Sequence, residues 1–389
     1  MAVILPAFFP CANQADPLDH WSVTQTASGS SFRSMAYAKG LFVATAQSGA
    51  GQGWLGYSAD GMIWNDARCG GAACGPTSLQ GVMFANDRFI AVGDQGWVYA
   101  STNGVDWMLN VVPPSDSMLW DVSYGDGIFV TVGQMDSCPC GFLAISSDGA
   151  QWTPNYIEQI LYLRAVAYGN GKFVAVGLSD SGTSFTSENI FSSTNVLGQW
   201  VAHSAMNTND FFSVTFGNGL FAAVGQEHHT GTARIITSSD GGTWTSRALP
   251  ATNGLRSVSF VDGLFVATGA GGTLLTSTNG TDWHWRATGT TDTLGELLYA
   301  KGSLLVLADH GAVLRSDPLV SLRLAVGQQV ELSVFGLEGR SYRIEATSDP
   351  GASNWPEAAS FFLYSSPTLW RDGVRPLPAA RFYRAVLLP

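Results

Sequence analysis

Leu163-Arg-Ala-Val-Ala-Tyr-Gly-Asn-Gly-Lys-Phe-Val-Ala-Val-Gly177 holds two apolar runs on either side of Asn170-Gly171. Asn and Gly adopt the positive φ that both central positions of a two-residue hairpin turn require, so the stretch predicts two antiparallel strands. The same phrase returns at Leu119–Gly133, Phe211–Gly225 and Leu255–Gly269, and in altered form at Phe32–Ala46, Leu79–Gly93 and Leu294–Ala308. After most copies comes Ser-x-Asp/Asn-Gly-x-x-Trp, at Ser58–Trp64, Ser101–Trp107, Ser146–Trp152, Ser238–Trp244 and Ser277–Trp283. There the short polar side chain bonds its own turn, the Gly takes φ > 0 and the Trp packs behind it. Each unit thus predicts four antiparallel strands.

Four strands repeated every 40 to 50 residues are the signature of a β-propeller blade. Trp21, Trp64, Trp107, Trp152, Trp200, Trp244 and Trp283 fall 39 to 48 residues apart. The last unit, Leu294–Asp317, has three strands and then meets Pro318, whereas His20–Thr24 reads as a fourth strand with no blade before it. Pairing the two ends closes a ring and removes exposed sheet edges. The prediction is an all-β chain. Residues 20–317 form a seven-bladed propeller closed three-plus-one by the N-terminal strand, and 318–389 form a small β-rich C-terminal domain. Residues 1–19 read as a leader or the remnant of an export signal, apolar but too short to span a membrane.

The Ser-x-Asp-Gly-x-x-Trp element resembles the Asp-box of sialidase-type secreted propellers. The resemblance implies that these residues form turns at the outer rim, away from the active site, so none is carried over as catalytic. Arg381-Phe-Tyr-Arg384, with Ser341-Tyr-Arg-Ile-Glu-Ala-Thr-Ser-Asp349 before it, resembles a small β domain found on many exported bacterial proteins. Together with only three lysines (Lys39, Lys172 and Lys301), these features predict a secreted or periplasmic protein. The formal charge is −11 with no basic run, which speaks against nucleic acid and anionic membrane surfaces as partners. Cys69 and Cys74 bracket a Gly-rich insertion and suit a small-loop disulfide in an oxidising compartment. Cys138-Pro-Cys140 lacks the usual zinc spacing, and neither a metal nor a cofactor is expected.

Short, uniform turns are expected on one face of the ring and unequal connections on the other. The loops 46–57, 66–78, 134–145, 178–192 and 226–237 therefore predict the binding face, since function concentrates on variable loops held by a rigid scaffold. Along the innermost strands, the second repeat position reads Arg33, Gln80, Trp120, Arg164, Phe212, Arg256 and Gly295. The third reads Ser34, Gly81, Asp121, Ala165, Ser213, Ser257 and Glu296, so two carboxylates enter the channel from blades three and seven. Acids brought together in a narrow channel have pKa values pushed apart, which suits general acid/base cleavage of glycosidic bonds. Asp121 and Glu296 are the expected catalytic pair, with Glu227 in reserve. Arg33, Arg164 and Arg256 would fork an anionic group. Trp54, Trp97 and Trp120 would stack sugar rings, and His228, His229, Asp309 and His310 would add polar contacts. The expectation is a secreted glycoside hydrolase acting on a carbohydrate. The alternatives are a non-catalytic glycan- or protein-binding propeller and a polysaccharide lyase or sialidase-like enzyme. No G-x-S-x-G elbow, H-E-x-x-H pair or phosphate loop is present.

Overall fold

The computed structural model describes residues 17–25, 31–47, 52–70, 72–74, 78–137, 141–157, 162–178, 189–203, 209–251, 253–326, 330–336, 340–349, 354–364, 368–373 and 381–388. Seven antiparallel sheets follow one another along the chain, each beginning with its innermost strand. Those strands are Ser31–Ala38, Leu79–Ala85, Ser117–Gly125, Tyr162–Gly169, Asn209–Gly217, Leu255–Val261 and Leu294–Ala300, for blades one to seven. Blade seven is completed by Trp21–Gln25, which pairs with Ala312–Ser316 as the outermost strand of that sheet. The chain is a seven-bladed β-propeller closed three-plus-one.

The hairpin chemistry is the same in all seven blades. The first turn residue (Lys39, Asn86, Asp126, Asn170, Asn218, Asp262, Lys301) has φ between 46° and 52°, and the second lies between 61° and 82°. This is the primed turn that matches the strand twist. The outer turns are equally regular in blades one, two, three, five and six. In blade five, Ser238 Oγ accepts the amide hydrogen of Gly241 at 2.8 Å, and Asp240 Oδ1 accepts those of Gly242 and Thr243 at 2.8 Å each. Asn103 and Asn279 do the same work in blades two and six.

The core lies between neighbouring blades. Val130, Leu143, Leu163, Phe173 and Phe191 fill the interface of blades three and four, while Phe32, Met35, Phe42, Leu305 and Leu307 fill that of seven and one. Burial of each such side chain contributes about 1.5–3 kcal/mol. Toward the short-turn face, an aromatic ring from each of three blades lies flat on a glycine of the preceding blade. A Cβ on Gly125 would sit 1.9 Å from the Tyr168 ring, and Gly169 and Gly217 receive Phe216 and Phe260 likewise.

Part of the expected binding-face loop 66–78 is strand: Arg68–Cys69 pairs parallel with Asp106–Trp107 and antiparallel with Ala72–Ala73, so the described residues of the insertion extend blade two outward to six strands. Arg68 also bridges Asp106 at 3.0 Å, and a disulfide joins Cys69 to Cys74 across 4.9 Å between Cα atoms. The insertion covers an edge that would otherwise be open.

Chain contacts divide the molecule into two compact units, Val23–Ala300 with Leu305–Arg315, and Met1–Ser22 with Lys301–Leu304 and Ser316–Pro389. Within the second, two three-stranded sheets pack around Leu332, Val334 and Ile344. The Arg381-Phe-Tyr-Arg384 segment serves buried acids there. Arg381 and Tyr383 hold Asp372 at 2.6 Å each, and Arg384 holds Glu345 at 2.6 Å. Among the described residues no helix is long and apolar enough to cross a membrane. Cys138 and Cys140 lie outside the described residues.

Candidate functional site: a ring of bulged residues at the channel mouth

In blades one to six the register between the first two strands slips at the same repeat position. Phe32 faces Ala46 and Ser34 faces Thr45, leaving Arg33 with no partner across the ladder. The same slip isolates Gln80, Trp120, Arg164, Phe212 and Arg256. A bulge removes one residue from the pairing and re-aims its side chain. All six, with Gly295 of blade seven, line one cavity of about 530 Å³ on the channel axis.

Neighbouring members of this ring stack. The Arg164 guanidinium carbon lies 3.8 Å from the Trp120 ring centroid, and that of Arg256 lies 4.6 Å from Phe212. Trp120 is itself held by its Nε1, which donates to Gln134 Oε1 at 3.3 Å. Arg33 donates to Gln47 Oε1 at 2.5 Å. The buried Nε of Arg164 has no hydrogen-bond partner among the described residues. Burial lowers the Arg164 pKa from its ordinary value, Tyr162 and Asp210 oppose this, and Arg256 adds to it. Three guanidiniums therefore meet at one mouth in a protein of formal charge −11, the arrangement that focuses an attractive field on a small anion.

One step deeper, the third repeat position joins blade to blade. Ser34 Oγ accepts the amide hydrogen of Val82 at 2.9 Å, and Ser213 Oγ accepts that of Val258 at 3.2 Å. Asp121 takes the same place: Oδ2 accepts the Val166 amide hydrogen at 2.9 Å and Oδ1 its own neighbour's, Val122, at 2.7 Å. Glu296 accepts from the Met35 amide and bonds Ser34. Burial pushes Asp121 up to about 6, against the Val166 and Val122 amides. Glu296 is pushed up to about 8, first by burial and then by the charge of Asp121, with Ser34 and Met35 opposing. Both acids line the central cavity.

The remaining expected residues divide. Trp54 does not line the cavity; it donates to Asp66 Oδ1 at 2.7 Å and packs with Phe32 and Trp64. Trp97 packs edge-on against Tyr99, beside Cys69 and Cys74. Of the three tryptophans only Trp120 reaches the channel. Glu227 is unsuited to donate a proton: it accepts the Thr230 amide hydrogen at 2.7 Å, and this contact with Thr230 lowers its pKa. His228 bonds Asp210 at 2.9 Å and meets His229 edge-to-face at 5.2 Å. Asp309 lines a second cavity, and His310 is exposed at φ 62° in the adjoining turn.

Phe212, Gln80 and Asp210 were absent from the expected site. The first two share the repeat position that flagged the arginines, so that position itself was the signal. Asp210, just ahead of the repeat, carried none.

No family model matches the chain, and no curated protein does. Among solved structures, it is similar to YCF48 bound to D1 peptide, at 15% identity and a TM-score of 0.58 over 78% of this chain and 96% of that one. YCF48 from Cyanidioschyzon merolae gives 14% and 0.56 over 77% and 98%. A catalytically inactive virginiamycin B lyase from Staphylococcus aureus with Quinupristin gives 9% and 0.61 over 76% and 99%. At these identities the likeness is one of fold, the β-propeller.

Proposed function

We propose that this chain is a non-catalytic binding propeller whose central cavity captures a carboxylate-bearing ligand. The observation that carries the reading is the bulge ring, which sends Arg33, Arg164 and Arg256 to one mouth and holds two of them over aromatic rings. A guanidinium stacked on its face presents its N–H edge, which matches a carboxylate in two parallel hydrogen bonds. Among propellers of similar fold, one is described as bound to a peptide and another is a lyase, so the fold itself favours neither binding nor catalysis. The small disulfide of blade two fits an oxidising compartment, and export belongs to the proposal. Titration calorimetry with galacturonate against wild type, Arg164→Met and Arg256→Met tests it. Binding that survives both substitutions overturns it.

One observation favours a second reading, glycoside hydrolysis by Asp121 and Glu296. Their pKa values are displaced to about 6 and about 8 in a shared cavity, so near neutral pH one is ionised and the other holds a proton. Against it, each already accepts a backbone hydrogen bond from the next blade. Release of reducing sugar from glycosides by wild type, lost in Glu296→Gln, would establish it over simple binding.

A further inference from the structure

The ring of bulged residues has one gap. Blade seven carries Gly295 between Arg256 of blade six and Arg33 of blade one, where every other blade places a larger side chain. The gap is open space: a Cβ built there meets nothing within 4 Å except the Leu307 carbonyl oxygen at 3.6 Å. Gly295 is not among the positive-φ residues, so the backbone itself does not call for glycine. A second cavity of about 460 Å³ opens at this point and shares Arg33, Arg256 and Gly295 with the central one. Its far wall includes Thr293, Gln47 and Asp309.

We propose that Gly295 is the exit of a groove for an acidic oligosaccharide. One uronate carboxylate lies against Arg164 in the central cavity, and the chain leaves between Arg256 and Arg33 over Gly295. This rests on the carboxylate-binding reading and adds the ligand's class and path. A chain is called for because two joined cavities share a pair of arginines, so a single small anion leaves the second cavity unused. A saccharide is called for by the partners on offer. Ser257 and Thr293 offer hydroxyls that exchange hydrogen bonds with those of a sugar, and Asp309 accepts them while repelling an unbroken run of anions. An acidic peptide or a polyphosphate meets that carboxylate unfavourably.

The test is calorimetry of wild type, Gly295→Trp and the smaller Gly295→Leu, each checked for unchanged melting, with galacturonate, an oligosaccharide in which galacturonate alternates with neutral rhamnose, and a glutamate-rich peptide. Wild type should bind the alternating oligosaccharide at least about tenfold more tightly than the monomer, because the second subsite engages a neutral sugar without a second loss of freedom. Either substitution should bring the oligomer's affinity down to that of the monomer for the same variant. Oligomer preference surviving in whichever variant folds overturns the groove. So does wild type that binds monomer and oligomer alike, or that binds the peptide as tightly as the oligosaccharide. Wild type that binds no uronate of either length overturns the carboxylate reading itself.

Discussion

Asp121 Oδ2 accepts the backbone amide hydrogen of Val166, one blade further round the ring, at 2.9 Å. Serine fills that role at Ser34 and Ser213. Asp121→Ser should therefore keep the link and the melting temperature close to wild type. Asp121→Ala leaves a buried amide without its acceptor, at a cost of about 1–3 kcal/mol. Denaturant unfolding of the pair checks this, and equal stability of the two variants would refute the blade-joining role.

The raised carboxyls make stability depend on pH in an uncommon direction. Glu296 loses its proton near its ordinary 4.5 when unfolded but at about 8 when folded. Between those values the native state holds the extra proton, so stability falls as pH rises. Asp121 adds the same trend between 3.8 and about 6. Each group contributes a slope of at most about 1.4 kcal/mol per pH unit. Melting temperature should decline from pH 5 to 8, and Glu296→Gln should flatten most of that decline above pH 6.

Arg164 is maintained against a desolvation penalty, with a buried Nε that bonds nothing among the described residues. Arg164→Met keeps the packing on Trp120 and removes the buried charge. Thermal stability should hold or rise while uronate binding is lost, as expected where function is kept at the expense of stability. Arg164→Lys should not rescue binding, since an ammonium neither stacks in a plane nor forks a carboxylate. Paired melting and calorimetry decide it.

The outer turns predict an opposite acid sensitivity. Asp240 is held far below the usual carboxylate range by the Thr243 and Gly242 amides and the Ser238 hydroxyl, and Asp60 is lowered to about 2 in the same way. A depressed folded pKa gives stability that is present above the unfolded value and lost as pH falls below about 4. Asp240→Asn, which copies Asn103 and Asn279, should be near neutral at pH 7 and less sensitive at pH 3. Asp240→Ala should destabilise at both. Unfolding curves at the two pH values distinguish them.

Ring closure is testable by truncation. Trp21–Gln25 supplies the outer strand of blade seven, and Trp21 Nε1 donates to Leu18 O at 2.7 Å. Removing residues 1–25 exposes the edge of Ala312–Ser316, and exposed edges pair with other chains. Light scattering should show aggregation of the shortened protein, whereas removal of residues 1–15 should leave it monodisperse.

The ring was legible because its signals are local and repeated. Asn170-Gly171 and its counterparts state the turn, and the orphan strand at Trp21 states the closure. Side-chain destinations were less legible. Trp54 and Trp120 look alike in sequence, yet one packs on Phe32 and the other reaches the channel, because only the second sits on a bulge. Asp121 and Glu296 stand out as charges, but their shared work with Ser34 depends on an amide one blade away, which no spacing within a blade reveals. Residues 66–78 looked like a loop because Arg68–Cys69 pairs with Asp106–Trp107, a partner nearly forty residues on.

The slipped register also separates two jobs that a strand usually performs with one residue. A side chain in the ladder must suit the residue it pairs with, whereas Arg33, Gln80, Trp120, Arg164, Phe212 and Arg256 have no register partner, and their contacts, such as Arg33 with Gln47 and Trp120 with Gln134, are made by side chains alone. Each can be exchanged without rewriting a sheet. The propeller therefore carries a seven-letter address at its mouth, read as Arg-Gln-Trp-Arg-Phe-Arg-Gly, that is independent of the text that folds it. Rewriting those seven positions alone is the direct route to giving this ring a different ligand.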